Sequence, residues 1–386
     1  IARQERNYCF PTETAHGAIQ DVLDQGVDYV FLPHFRDMPS TENVHACVCP
    51  LTQGLPYFAR QAFGLRDDQI LRPLLSLGDG FEVSREAFEK VAVQLGFTRP
   101  EGSHAYDVGI AQFQRFLTAY RALGRKVLEE VRNNPDRVYI ALLGRPYNAF
   151  TRDANMGIPR KFTSQGVTLI PFDMIYEDDA EIPPNNYWYF GQQNMKAVQQ
   201  VKKTDNLYLT WVSNFSCAPD SFLLHYVRWL MGQKPYLVLE IDSHTADAGL
   251  DTRVEAFLDI VESYRRHVQP APDKPFQRRY SIALKEEFCD VVDHKTGRRL
   301  DIRDPLVHLV WPSMGDLSTE AMDAAARRQG IASTHLPLPD VHSTQLARNV
   351  ASGKECIPAL LVLGSILKFF KEHEPNKGDD VYVVFV

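Results

Sequence analysis

A chain of 386 residues, 44% hydrophobic and 24% charged, has the make-up of a folded protein with room for two or three domains. Its formal net charge of −7 argues against a broad nucleic-acid-binding face, and no apolar run approaches the roughly 20 residues that span a membrane. The opening stretch IARQERNYCFPTE has no apolar signal core, so nothing points to export and the expected location is cytoplasmic.

Helix and strand signals alternate through the first hundred residues. Residues 16–25 read as a helix, and VDYVFLP (27–33) follows as a buried strand rich in β-branched and aromatic side chains. Residues 56–64 read as a second helix, 69–77 as a strand and 85–96 as an amphipathic helix. From 111 to 133, Phe113, Phe116, Leu117, Tyr120, Leu123, Val127, Leu128 and Val131 recur at helical spacing, which predicts one long helix joining two lobes. The second lobe opens on RVYIALLG (137–144). VTLIPF (167–172), NLYLTWVS (206–213) and PYLVLEI (235–241) follow, separated by helical segments and closed by a helix over 252–265.

The expected fold is therefore α/β, with tandem Rossmann-like doubly wound parallel-sheet lobes joined by a long helix. The expected division is a first lobe at 1–103, a linking helix at 104–135 and a second lobe at 136–267. A linker is expected at 268–303, opening on the proline-rich VQPAPDKP (268–275), and a further α/β module at 304–386. That module runs from LVHLVWPSMGD to the strand DVYVVFV. Ending on apolar, strand-like residues reads as a fragment of a longer protein, whose remaining domains would be partners.

Six irregularly spaced cysteines do not resemble a secreted disulfide framework. In a reducing compartment each is either a small buried hydrophobe or a ligand. Cys9 (NYCFPTETAHG), Cys49 (HACVCPLTQGLP) and Cys217 (VSNFSCAPDSF) each sit on a loop with proline just ahead, leading into a helix. Helix N-termini favour thiolate, and three such thiolates can hold three irons of a [4Fe–4S] cube. The fourth iron is then left for water, a substrate oxygen or a bridging ligand. Zinc, recruiting His16 or His45, and plain buried thiols are the alternatives, and without compact CxxC pairs spacing alone does not separate them.

Other residues have a functional and a structural reading. Cys47 forms a CxC pair with Cys49 and is an additional ligand or, lacking a following proline, a packing residue. Cys289 reads as buried. His16 is either a hydrogen-bond donor to a cluster sulfide or a helix-start histidine bonded to backbone. Arg145 and Tyr147 of GRPY follow a strand end and could meet an anionic substrate or phosphate, Arg145 foremost, with Asp220 a further candidate. Asp242, His244, Asp247, Asp251 and Arg253 read as turn and cap residues, and Trp188 and Tyr189 as core or interface aromatics.

The segments CFPTETAHGAIQDVLDQGVDYVFLP, GRPYNAF and NFSCAPDSF, with EIDSHTADAGLDTRVEAFLD, resemble the dehydratase-like module of acyl-CoA dehydratase activase-related fusion proteins of anaerobic bacteria. These are relatives of 2-hydroxyglutaryl-CoA dehydratase, within the 2-hydroxyacyl-CoA dehydratase superfamily, and of the double-cubane cluster proteins. The likeness covers most of 7–265 and resumes at PSMGD (312–316) and SGKECIPALLVLG (352–364). It implies a [4Fe–4S] cluster on Cys9, Cys49 and Cys217, single or as half of a double cubane. Cys356 would open a second cluster site, to which Cys289 or a partner chain could contribute. It also implies low-potential electrons from an ATP-hydrolysing activator, delivered to a small-molecule substrate such as a 2-hydroxyacyl-CoA by way of a ketyl radical. A zinc or iron–sulfur scaffold lobe of a larger assembly is the alternative role.

Departures from that pattern are Glu13 where the family often has a basic residue, CAPD in place of CGPD, and no strand ahead of Cys9. The chain has no glycine-rich acidic phosphate loop and so does not read as the ATPase itself.

Overall fold

A computed structural model of the chain describes residues 9–40, 46–152, 154–183, 186–267, 279–351, 353, 355–373 and 380–385. They fall into two compact units, Ile1–Gln269 and Pro270–Val386. No helix among the described residues is long and apolar enough to cross a membrane.

The first lobe begins with α1 (Phe10–Asp24), β1 (Val30–Phe31), β2 (His34–Asp37) and α2 (Pro50–Phe63). It continues with β3 (Ile70–Leu71), β4 (Leu74–Ser76), a single 3-10 turn and α3 (Arg85–Gln94). Its strands are two parallel pairs, β1 with β3 and β2 with β4. Pro33 and Pro73 interrupt both pairs at the same level, because proline has no N–H to give to a ladder. The chain bridges the gap with a hydrogen bond from His34 N to Pro73 O. Helix α2 starts at Pro50, six residues before the expected Pro56, and carries Pro56 inside it.

Helix α4 (Arg99–Asn133) is 35 residues long, roughly 50 Å at 1.5 Å per residue. It starts earlier than its apolar stripe because Thr98 and Glu101 form a reciprocal capping box. Farther along, it docks on α7 (Phe172–Ile175) of the second lobe. Gly124 permits this, since a Cβ there would lie 1.8 Å from the Met174 carbonyl oxygen. Tyr120 donates to Asp173 Oδ1 (2.9 Å) and Arg121 to the Asp173 carbonyl (2.7 Å).

The second lobe is a four-stranded sheet of β5 (Tyr139–Gly144), β6 (Thr168–Pro171), β7 (Leu207–Asn214) and β8 (Tyr236–Ile241). The strands lie in the order β6-β5-β7-β8, all parallel. Every residue of β5 and β7 is buried, as continuous apolar runs require of a sheet covered on both faces. Tyr139, Ala141 and Leu143 face one core with Leu207, Leu209 and Trp211, while Ile140 and Leu142 face the other with Tyr208 and Val212. Helices α8 (Tyr189–Lys203) and α9 (Ala218–Met231) cover the first face. The short α5 (Pro146–Ala149), α6 (Ile158–Thr163) and α10 (Asp247–His267) cover the second.

The second unit opens with an antiparallel meander of β9 (Tyr280–Leu284), β10 (Cys289–Asp293) and β11 (Arg299–Asp301). These strands occupy much of the stretch expected to be linker. They escape a search for apolar runs because charged residues are interleaved along them, with Asp290 and Asp293 themselves buried. A three-stranded parallel sheet follows in the order β13-β12-β14, from β12 (Val307–Trp311), β13 (Ala332–His335) and β14 (Val381–Val384). It is accompanied by α11 (Asp316–Arg328), α12 (Val341–Arg348) and α13 (Ile357–His373). The α12–α13 approach is close, with the Gly364 Cα facing the Ser343 carbonyl where a Cβ would sit 2.1 Å away.

Candidate functional site

In the second lobe, the helix after β5 packs on one face of the sheet and the helix after β6 on the other. The crevice between the C-terminal ends of β5 and β7 is therefore the topological switch point, where open parallel sheets hold ligands. Gly144 ends β5 at φ +133°, and a Cβ there would lie 2.4 Å from the Val212 carbonyl oxygen. Asn194 of α8 clamps this residue, accepting from Gly144 N at 2.8 Å and donating to its carbonyl at 3.0 Å.

Arg145 leaves this clamp 6% exposed. Its Nη2 donates to Asp220 Oδ1 at 3.0 Å and to Cys217 Sγ at 3.1 Å, and its Nη1 donates to Tyr147 Oη at 3.1 Å. Asp220, on the first turn of α9 and 2% exposed, also accepts from Ser213 Oγ at 2.5 Å. One residue on, Asn214 accepts from Asn148 Nδ2 (2.5 Å) and donates to the Ile241 carbonyl (3.0 Å). The ends of β5, β7 and β8 and the start of α9 are thus joined by buried polar groups, each with a partner.

Burial alone would lower the Arg145 pKa, but Asp220, Tyr147, Cys217 and Cys49 together outweigh it and the guanidinium stays charged. Burial pushes the Cys217 thiol up and the Asp220 charge adds to the rise, while Arg145 opposes it. The expected dipole-lowered thiol is therefore not what this buried position produces. A metal ion, which takes thiolate, would reverse that balance on binding. Burial likewise raises the Tyr147 hydroxyl, against the pull of Arg145.

The first lobe reaches this crevice through the strand-like segment before Cys49. Cys47 N donates to the Tyr187 carbonyl (2.7 Å), and Tyr189 N donates to the Cys47 carbonyl (2.9 Å). These two bonds bring Cys49, the N-cap of α2, to a cavity of about 240 Å³. Arg145, Tyr147, Trp188 and Asp220 line that cavity with Cys47 and Cys49. Cys217 stands behind Arg145, close enough that the charges of Cys49 and Cys217 act on one another.

Cys9, Cys49 and Cys217 are each the N-cap of a helix, of α1, α2 and α9, with proline in the first turn. Cys356 directly precedes α13, its carbonyl accepting from Leu360 N, and its side chain is exposed. The structure brings Cys49, Cys217, Arg145, Tyr147 and Asp220 together. Neither Cys9 nor Cys217 is on the cavity wall, and no group of three His, Cys, Asp or Glu side chains that could hold a metal ion forms among the described residues. The assembled part offers two sulfurs at helix N-termini, Cys49 and Cys217, one fewer than the three thiolates expected of a cluster-binding set.

His16 is buried with Nδ1 on the Thr12 carbonyl (2.7 Å) and its ring stacked on Phe63. His45 lies outside the described residues. Asp242 holds a turn through His244 N and Thr245, Asp247 and Asp251 pair with Lys161, and Arg253 donates to the Val238 carbonyl. Cys289 is half-buried in β10. Sequence reading missed Ser213, Asn214, Asn148 and Asn194. Their only signal is a pair of polar residues, Ser213-Asn214, closing an otherwise apolar run.

Residues 2–175, somewhat less than half of the chain, match the family described as CoA enzyme activase uncharacterised domain (DUF2229). The match spans Cys9, Cys49 and Arg145 and links the chain to acyl-CoA dehydratase activase-related proteins. No curated protein matches the chain.

Proposed function

We propose that this chain is the iron–sulfur module of an ATP-driven, low-potential system acting on acyl-CoA substrates, with Cys49 and Cys217 as two cluster ligands and Cys9 as the third. The observation that carries this reading is Arg145, which lines one cavity with Cys49 of the first lobe and donates to Cys217 of the second, each thiol at a helix N-terminus. The match to an activase domain supplies the acyl-CoA context.

When bound, the cluster supplies one-electron chemistry at low potential. The chain's own residues hold and shield it. Cys217 is fixed by α9 and Arg145, and Cys49 by the backbone bonds of Cys47. Trp188, Phe35, Val48 and Leu223 give the cavity apolar walls that limit water. Cys9 caps α1, which packs on α2. An electron donor is required from outside, an ATP-hydrolysing activator domain or protein.

The test is anaerobic purification with iron and acid-labile sulfide counted per chain and the EPR spectrum of the reduced sample recorded. About four of each with a reduced-cluster signal is expected, lost when Cys9, Cys49 or Cys217 becomes Ala. A colourless, air-indifferent protein holding zinc or no metal would sink the reading in favour of a scaffold lobe.

A further inference from the structure

A cleft of about 1090 Å³, larger than the cavity beside Arg145, is lined by the linking helix α4, by α7 and by the start of α8. Cleft and cavity share two wall residues, Met38 and Phe190. Phe190 belongs to the first turn of α8 and packs on the core of the second lobe. Met38 follows β2 and is tied by its backbone N–H to the Ala46 carbonyl (2.9 Å). An unbranched thioether side chain is the more easily moved of the two. We propose that cleft and cavity are the outer and inner chambers of one binding site, joined past Met38, for an elongated ligand with a small uncharged apolar head. The acyl end of a thioester is such a head, a choice that rests on the acyl-CoA context proposed above and is independent of any cluster.

Each chamber selects one part of the ligand. Phe35, Val48, Trp188 and Leu223 wall the inner one. A cavity of about 150 Å³ takes benzene, so one of about 240 Å³ takes a head of roughly ten carbons at most. Its polar wall groups are already engaged, Arg145 with Asp220, Tyr147 and Cys217, and Asn194 with Gly144. A carboxylate on the head would lose its hydration and find no counter-charge left to pair with. The outer chamber is mixed. Phe113 and Phe116 line one stretch of α4 and Arg121, Arg125 and Arg132 the next, with carboxylates at 177–179 also on the wall. It suits a long body of aromatic and polar groups.

The experiment measures binding of CoA, hexanoyl-CoA and adipoyl-CoA to the full chain by calorimetry. Hexanoyl-CoA is expected to bind about tenfold or more tightly than free CoA. Adipoyl-CoA, which ends a chain of the same length in a carboxylate, is expected to lose that gain. Met38→Trp crowds the passage between the chambers, and is expected to remove the gain of hexanoyl-CoA while free CoA binds as before. Adipoyl-CoA bound as tightly as hexanoyl-CoA, no gain over free CoA, or a gain that survives Met38→Trp overturns the inference and leaves the acyl-CoA reading standing. Failure of all three ligands to bind overturns that reading, and the inference with it. Should Met38→Trp not fold, the methionine methyl resonance that Met38→Leu removes decides. A shift with hexanoyl-CoA and none with free CoA supports the passage, and the same response to both overturns it.

Discussion

The two lobes that meet at the cavity present their cysteines in different ways. The second lobe holds Cys217 with side chains: a fully buried sheet, the Arg145–Asp220 pair, Ser213 and the asparagines at the strand ends. The first lobe holds Cys49 with backbone, through strands of two to four residues interrupted by Pro33 and Pro73 and through the two bonds of Cys47. Its charged pairs are largely at the surface, as Arg36 with Asp37. The difference teaches that the half holding Cys217 is set by side chains while the half holding Cys49 can adjust. A lobe with few buried apolar contacts opens locally at lower free energy than one with a continuous core.

Asp220→Ala should break the set half most severely. It strands a guanidinium that is nine-tenths buried, and losing one partner of a buried pair costs about 3–5 kcal/mol. The urea midpoint of the second lobe, followed by Trp211 fluorescence, should fall accordingly. A shift no larger than that of a surface pair would undo the distinction between the lobes. Asn194→Ala comes next, with a loss of about 2 kcal/mol, because it frees the buried N–H and carbonyl of Gly144 together. Amide exchange in β5 should quicken while β1–β4 stay as they were.

Lys234 tests whether buried polar groups elsewhere in this lobe behave alike. Burial pulls its ammonium down to about 8 from 10.5, while its Nζ caps the Val201 and Thr204 carbonyls at the end of α8. The unfolded chain binds this proton below pH 10.5 and the fold only below about 8, so stability gains as pH rises through that window. The gain is at most about 1.4 kcal/mol per pH unit, and Lys234→Met should lack it in denaturation series at pH 8 and pH 9.5. Arg36→Ala, breaking a pair whose arginine side chain is 56% exposed, should change stability by no more than about 1 kcal/mol. A larger loss would show the first lobe to be side-chain-held after all.

Much of the second lobe was legible beforehand because its strands are uninterrupted apolar runs such as LYLTWVS, which only a doubly covered sheet can bury. The first lobe was less so. VDYVFLP reads as one strand, yet only Val30–Phe31 of it pairs as a strand, and pairing resumes at His34 beyond Pro33. The meander from Tyr280 to Asp301 was missed because its buried positions include aspartates.

For the site, the sequence by itself determined that Cys9, Cys49 and Cys217 stand at helix starts, because proline and capping chemistry act within a few residues. It also placed Arg145 at a strand end. Only the tertiary structure decided that Arg145 reaches Asp220 and Cys217, more than 70 residues away, and that Cys49 arrives from another lobe. Such pairings are made by strand order and lobe docking. Local propensity carries no trace of them, because a carboxylate and a guanidinium look alike in sequence whether they face water or each other.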